Sequence, residues 1–168
     1  MAAMSDPIAS RRSLLGPSLI RASLWMLLGG WFGAYLLFGA VIVPIAFAVL
    51  PTTKIAGSLI APVLTKLHLF GALAGFPLAM LSRSLGRSSL LVATPIALSL
   101  LCLYSHFGVS AELAEIRGLS FEPVRSPDLA ARFGFLHQIS LGVFIAVSAT
   151  ITLLIVMHAK ADAESINP

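Results

Sequence analysis

The chain has 168 residues, of which 58% are hydrophobic and only 11% charged, with a net charge of +4. Soluble domains run at roughly 45–50% apolar and about 25% charged residues, so this composition leaves too little polar surface for a water-facing globule and predicts a membrane protein of one small domain. The basic residues are not gathered into a patch but stand at the ends of apolar runs, which argues against a nucleic-acid face and matches the use of lysine and arginine in membrane proteins.

The first 21 residues hold Arg11, Arg12 and Arg21. Pro7 and the pair Gly16-Pro17 argue against a regular helix there, and the segment reads as a loose or interfacial cytoplasmic arm. The apolar run that follows is too long for the core of a secretory signal, and no clear small-x-small cleavage site follows it. It reads as a retained first helix.

A bilayer core of about 30 Å needs roughly 20 apolar residues in a helix. Four stretches satisfy this, at about 22–49, 55–81, 88–107 and 131–157, within a transmembrane domain of residues 22–158. The fold class is therefore an all-α bundle of four transmembrane helices. In the first span Gly29 and Gly33 lie four apart on one face, a spacing that lets two helices approach closely. This pair predicts a crossing inside the bundle, with dimerisation as the alternative. Pro44 should kink the far end of that span, since it removes a hydrogen bond and clashes with the preceding turn.

Leu50-Pro51-Thr52-Thr53 is a tight turn, with Thr53 as the expected cap of the second helix. The second span repeats the glycine spacing at Gly71 and Gly75 and carries Pro62 and Pro77. Ser82 to Arg87 forms the next short turn. The third span carries Pro95 and the only cysteine, Cys102, whose apolar neighbours predict a packed thiol.

The connection from 108 to 130 is the long one, with Glu112, Glu115, Arg117, Glu122, Arg125 and Asp128. Val109 to Leu119 suits a short surface helix, broken by Pro123 and Pro127. Residues 159–168 read as a polar tail. Arg11, Arg12, Arg21, Arg83, Arg87 and Lys160 fall on one side of a four-span topology, and Lys54, Arg117, Arg125 and Arg132 on the other. That asymmetry orients both termini toward the cytoplasm and the long loop outward.

Polar side chains within spans are costly and mark sites to consider. Lys66 and His68 stand in the second span, Tyr104 and His106 near the end of the third, and Arg132, His137, Gln138 and Ser140 in the fourth. By depth they form a candidate cluster in the middle and outer part of the bundle, with His137 expected to face the interior. Three chemistries suit it: hydrogen bonding between helices with Lys66 and Arg132 reaching for the interface, a metal or haem site using paired imidazoles, or a proton-responsive group. No nucleophile elbow, phosphate loop, HExxH or dinucleotide glycine pattern occurs, and no carboxylate lies well inside a span. Asp6, Asp162 and Glu164 read as tail residues.

Several of these residues stand in a familiar order: Trp31-Phe32-Gly33, then Phe38-Gly39-Ala40-Val41-Ile42-Val43-Pro44-Ile45-Ala46-Phe47, then Leu50-Pro51 and Ala56-Gly57, and late in the chain Arg132-Phe133-Gly134-Phe135-Leu136-His137-Gln138-Ile139-Ser140. The series resembles the transmembrane protein 205-like family, a membrane domain of unknown function. It covers about Leu24 to Ile155. The resemblance implies a four-helix membrane domain and marks Trp31, Gly33, Pro44, Phe47, Gly57, His137 and Ser140 as pattern positions of unassigned role.

Three functions follow as expectations. The first is a non-catalytic accessory or interaction subunit, with the lipid bilayer and other membrane-protein subunits as partners and no nucleic acid. The second is a small transporter or ion-handling protein using the histidine, lysine and arginine cluster. The third is a haem- or metal-binding membrane protein. The first expects no enzyme activity, no cofactor and no metal. Eight arginines against three lysines and abundant alanine point to a bacterial cell inner membrane.

Overall fold

The computed structural model describes the backbone of residues 7–119 and 127–166 and the side chains of 16–117 and 127–165. Every element among the described residues is helical. The chain forms α1 (Pro7–Leu37), a π turn (Phe38–Ile42), α2 (Val43–Val49), α3 (Thr53–Ser84), α4 (Ser89–Tyr104), a second π turn (Ser105–Ser110), α5 (Ala111–Leu119) and α6 (Pro127–Ile166). The two π turns join their flanking helices without a break, so the elements make four rods. Each rod contains a helix long and apolar enough to cross a membrane: Gly16–Val49, Thr53–Ser84, Ser89–Arg117 and Pro127–Ser165.

Several local expectations change. The arm is helical from Pro7 onward, with Pro17 inside α1. A proline at the first helical position lacks only an N–H that would have no partner anyway, so Pro7 opens the helix rather than preventing it. The second helix is capped by Thr52, not Thr53: the Thr52 side chain accepts from the Ile55 N–H at 3.2 Å. The stretch after span three is not a separate surface helix, because α5 continues α4 through the π turn. Pro127 likewise starts α6 instead of ending a helix. Pro123 lies outside the described residues.

The first π turn has a readable cause. Pro44 lacks the N–H that would bond to the Ala40 carbonyl and clashes with that turn. The chain widens over Phe38–Ile42, and α2 restarts with Pro44 in its first turn. Such single-turn bulges are a common way to absorb an irregularity inside a long helix.

The α3–α4 turn is a Schellman closure. The Arg87 N–H donates to the Ser82 carbonyl at 3.1 Å and the Gly86 N–H to the Arg83 carbonyl at 3.0 Å. Gly86 takes φ +67°, a left-handed conformation that costs other residues roughly 1–2 kcal/mol. This closure fixes where the Arg87 side chain leaves the backbone.

The core is built from heptad-like stripes. Leu24, Leu28, Trp31, Tyr35 and Phe38 are buried along α1, and Val143, Val147, Ile151 and Leu154 along α6. A second small cluster of Val109, Leu113, Ile116 and Leu136 ties α5 to the start of α6. The most extensive pairing is α3 on α4. There the α3 face is made of small residues, Gly71, Ala72, Ala74, Gly75 and Ala79, which let the two backbones meet. A methyl group at Gly75 would overlap the Pro95 carbonyl oxygen and Ser99 Oγ.

Gly29 and Gly33 do not act in this way. Nothing lies within 4 Å of a methyl group placed on either, and both are exposed. The expected intramolecular crossing on α1 is carried instead by its Leu24–Leu28–Trp31–Tyr35 stripe. The outer surface of the bundle is strongly apolar, with Met26 at 78% exposure and Leu37, Val49, Leu73, Met80 and Leu153 also outward.

Candidate functional site

The expected polar cluster of α3, the end of α4 and α6 is only partly assembled. His68 is fully buried, and its Nδ1 lies 3.1 Å from Ser105 Oγ in the second π turn. His106, in the same turn, is half-buried with Nδ1 3.1 Å from the Thr65 carbonyl oxygen. These two contacts link α3 to the α4 rod. The periodicity explains them: Thr65, His68, Gly71 and Gly75 fall on one side of α3, and Ser99, Cys102 and Ser105 on the facing side of the α4 rod. Ser99 Oγ extends the seam by donating to the Ala72 carbonyl at 2.9 Å.

The other expected members stand apart. Lys66 is exposed, Tyr104 is 61% exposed, and His137 is exposed with its ring stacked on Phe133 at 6.2 Å. The expectation that His137 faces the bundle interior is therefore corrected. Leu136 and Ser140 are the buried positions of that turn, and His137 lies one step, about 100° of helix, away from Leu136. Arg132 is also outward, donating from Nε to Glu112 Oε1 at 2.6 Å across the α5–α6 corner. Gln138 is exposed. Among the described residues no three His, Cys, Asp or Glu side chains are grouped as metal ligands.

The pattern positions of the resemblance are equally mixed. Trp31 and Ser140 are buried core residues, Pro44 and Phe47 are exposed on the first rod, and Gly33 and Gly57 have open space around them. Trp31 belongs to the middle of the bundle, where a methyl group on Gly71 would meet Trp31 Nε1 at 3.1 Å and Cys102 Sγ at 2.9 Å. Cys102 Sγ is 3.7 Å from the Tyr35 hydroxyl. Tyr35 in turn stacks on Phe144 of α6 at 5.4 Å. The interior thus carries a ladder of paired polar groups between helices, with Trp31 Nε1 and His68 Nε2 among the buried atoms that have no hydrogen-bond partner among the described residues.

A second polar cluster, absent from the sequence reading, closes the opposite end of the bundle. α6 continues past residue 158, so Asp162 belongs to the packed helix and not to a polar tail. Its Oδ2 accepts from Trp25 Nε1 at 2.8 Å. Its Oδ1 meets Arg21 Nε at 3.2 Å and accepts a hydrogen bond from Arg87. The Arg87 side chain is only 7% exposed. One turn earlier on α6, the fully buried His158 has Nε2 3.5 Å from Ser82 Oγ, and Ser82 itself donates to the Leu78 carbonyl. The first, second and last rods and the α3–α4 turn all converge here. Two guanidinium groups share one carboxylate, leaving the cluster with an excess positive charge among the described residues.

The signal for this cluster was present in the chain. Val147, Ile151, Leu154 and His158 mark the buried stripe of α6, and Asp162 is its next member at the same four-residue step. Arg21 and Trp25 stand in the same relation to Leu24 and Leu28 on α1.

No protein-family model matches this chain, and neither a curated protein nor a solved structure with significant similarity to it was found.

Proposed function

We propose that the chain is a four-span integral membrane protein of the bacterial inner membrane, with both termini in the cytoplasm, and that it serves as a non-catalytic accessory or interaction subunit. Four long apolar rods and an apolar outer surface support insertion. The excess of arginines on the side of Arg21, Arg83 and Arg87 supports the orientation. The resemblance to the transmembrane protein 205-like family rests on the sequence motifs alone and agrees with a four-helix domain.

The observation that carries the interaction role is the outward glycine face of α1. Gly29, Gly30 and Gly33 are exposed side by side, and each has open space where a side chain would be. Inside the bundle, by contrast, His68, Ser99, Ser105 and His106 are engaged in contacts between helices. An outward face of small residues lets another helix approach closely and gain dispersion contacts. Transport through the expected cluster draws less support, because Lys66, Arg132 and His137 point away from His68.

Purification in mild detergent tests the role. A second membrane chain, or a second copy, should accompany the protein in fixed ratio and be lost with Gly29→Leu or Gly33→Leu. A folded chain that purifies alone and monomeric overturns it. Orientation is tested separately by cysteine labelling of intact cells on a Cys102→Ser background. A cysteine at Ser120 should react with a membrane-impermeant reagent and one at Ser84 should not; the reverse pattern sinks the assigned topology.

A further inference from the structure

We propose that the seam between α1 and α6 is a binding site for one anionic phospholipid, with its phosphate on Arg21 and one acyl chain in the apolar groove farther along the same two helices. The assignment rests on the membrane-inserted reading and goes beyond the subunit role. It draws on two independent features of one helix pair.

The first feature is the charge of the closing cluster. Asp162 is shared three ways: Oδ2 accepts from Trp25, and Oδ1 accepts from Arg87 and lies 3.2 Å from Arg21 Nε. The two guanidinium groups outnumber it, so among the described residues one positive charge is left uncompensated within the cluster. Arg87 is enclosed, whereas the Arg21 side chain is 41% exposed. Arg21 meets Asp162 through Nε, which leaves its two terminal nitrogens as donors in the planar geometry that suits a phosphate. Trp25 beside it is the residue type that marks the headgroup level of a bilayer. Basic pockets between helices at that level are where anionic headgroups bind.

The second feature is a groove of about 590 Å³ between the same helices. Phe32, Leu36 and Ala40 line it from the first rod, and Ile145, Ser148 and Thr152 from α6. Arg21, Trp25, Phe32 and Leu36 fall along one strip of α1, and Thr152, Ala159 and Asp162 along the facing strip of α6, by the 3.6-residue period. The near end of the groove at Thr152 is ten residues from Asp162, about 15 Å at 1.5 Å per residue. That is about half the thickness of a bilayer core. The groove therefore lies where the lower part of a chain anchored at Arg21 comes to rest. Ala159, exposed on α6 between Asp162 and Thr152, offers no bulk to block the path. Charge fixes the headgroup class, and the spacing selects a lipid over a free anion.

The test uses the full chain in mild detergent with three probes: phosphatidylglycerol, phosphatidylcholine with the same acyl chains, and inorganic phosphate. Native mass spectrometry and thermal melting read binding. Phosphatidylglycerol should bind one per chain, more tightly than phosphatidylcholine, and inorganic phosphate should not shift the melting temperature. Arg21→Gln should weaken phosphatidylglycerol by about fivefold, the effect of one basic residue at an anionic headgroup, and Arg21→Lys should restore most of the preference. Ala149→Phe, on the exposed rim of the groove, should weaken both lipids. Equal binding of the two lipids by the parent chain, an Arg21→Gln variant with the parent's preference, or a phosphate shift equal to that of phosphatidylglycerol overturns the assignment. An unchanged Ala149→Phe variant that remains folded by circular dichroism removes the chain from the groove. A protein that stays dispersed without detergent would instead sink the membrane reading itself.

Discussion

Gly75→Ala should lower the melting temperature of the detergent-solubilised protein, while Gly33→Ala should leave it unchanged or raise it. In a helix free of neighbours alanine is the better residue, because glycine gives up more conformational freedom on folding. Gly33 is such a position, since a methyl group there meets nothing within 4 Å. At Gly75 the same methyl group would press into the Pro95 carbonyl oxygen, a backbone atom that no rotamer change can move aside. The α3–α4 crossing must open along its length, which also stretches the Ser99 hydrogen bond to the Ala72 carbonyl and the seam toward Ser105 and His68. Overpacking of this sort typically costs about 1–3 kcal/mol, and more where backbone has to shift. Leucine at the two positions should widen the gap. Equal melting temperatures for the two alanine variants would show that α3 and α4 are not in contact at Gly75.

The largest loss among side chains at the closing cluster is expected for Asp162→Asn. Removing the charge leaves Arg87, enclosed by the bundle, and Arg21 beside it without a counter-ion. Breaking an enclosed pair by deleting one partner commonly costs about 3–5 kcal/mol; here the lower end applies, because Arg21 and Asp162 are partly open to the surroundings. Asparagine keeps an acceptor for Trp25 Nε1, so the variant isolates the charge from the hydrogen bond. Arg87→Met combined with Asp162→Leu should recover much of the loss, since a pair replaced by apolar side chains is often no less stable than the ion pair. Chemical or thermal unfolding of the cycle of parent, Arg87→Met, Asp162→Leu and the double variant reads the coupling directly. Additive losses would mean that Arg87 does not depend on Asp162.

The four rods were legible in the chain because the length of an apolar run is a strong signal in membrane proteins. An irregularity at Pro44 was legible for a similar reason, since the consequence of a missing N–H does not depend on the neighbours, but its form, a widened turn over Phe38–Ile42, was not. Which face of a rod is buried was far harder to read. In a soluble helix polar residues mark the outside, but here Met26, Leu73 and Leu153 face outward and Leu28, Leu78 and Leu154 face inward with the same chemistry. Gly29–Gly33 and Gly71–Gly75 share one spacing, yet only the second pair meets another helix. His137 was misplaced on the same ground, because its rotational position depended on the buried stripe through Leu136 and Ser140. Asp162 was missed because a charged stretch at a chain end resembles a solvated tail. Its place on the Leu154–His158 stripe was the evidence against that.

The clasp at Asp162 also sets an order on biogenesis. Arg21 and Arg87 are both made before the carboxylate that they contact, because Asp162 stands on α6, the last of the four rods. Until the last helix arrives, the first three form an assembly with two uncompensated guanidinium groups and an open α1 flank. The Asp162 turn of α6 therefore works as a latch that makes arrival of the last rod a condition for closing the bundle. A nascent chain halted before Asp162 carries the apolar stretches of all four rods but lacks the group that ties α1, the α3–α4 turn and α6 together.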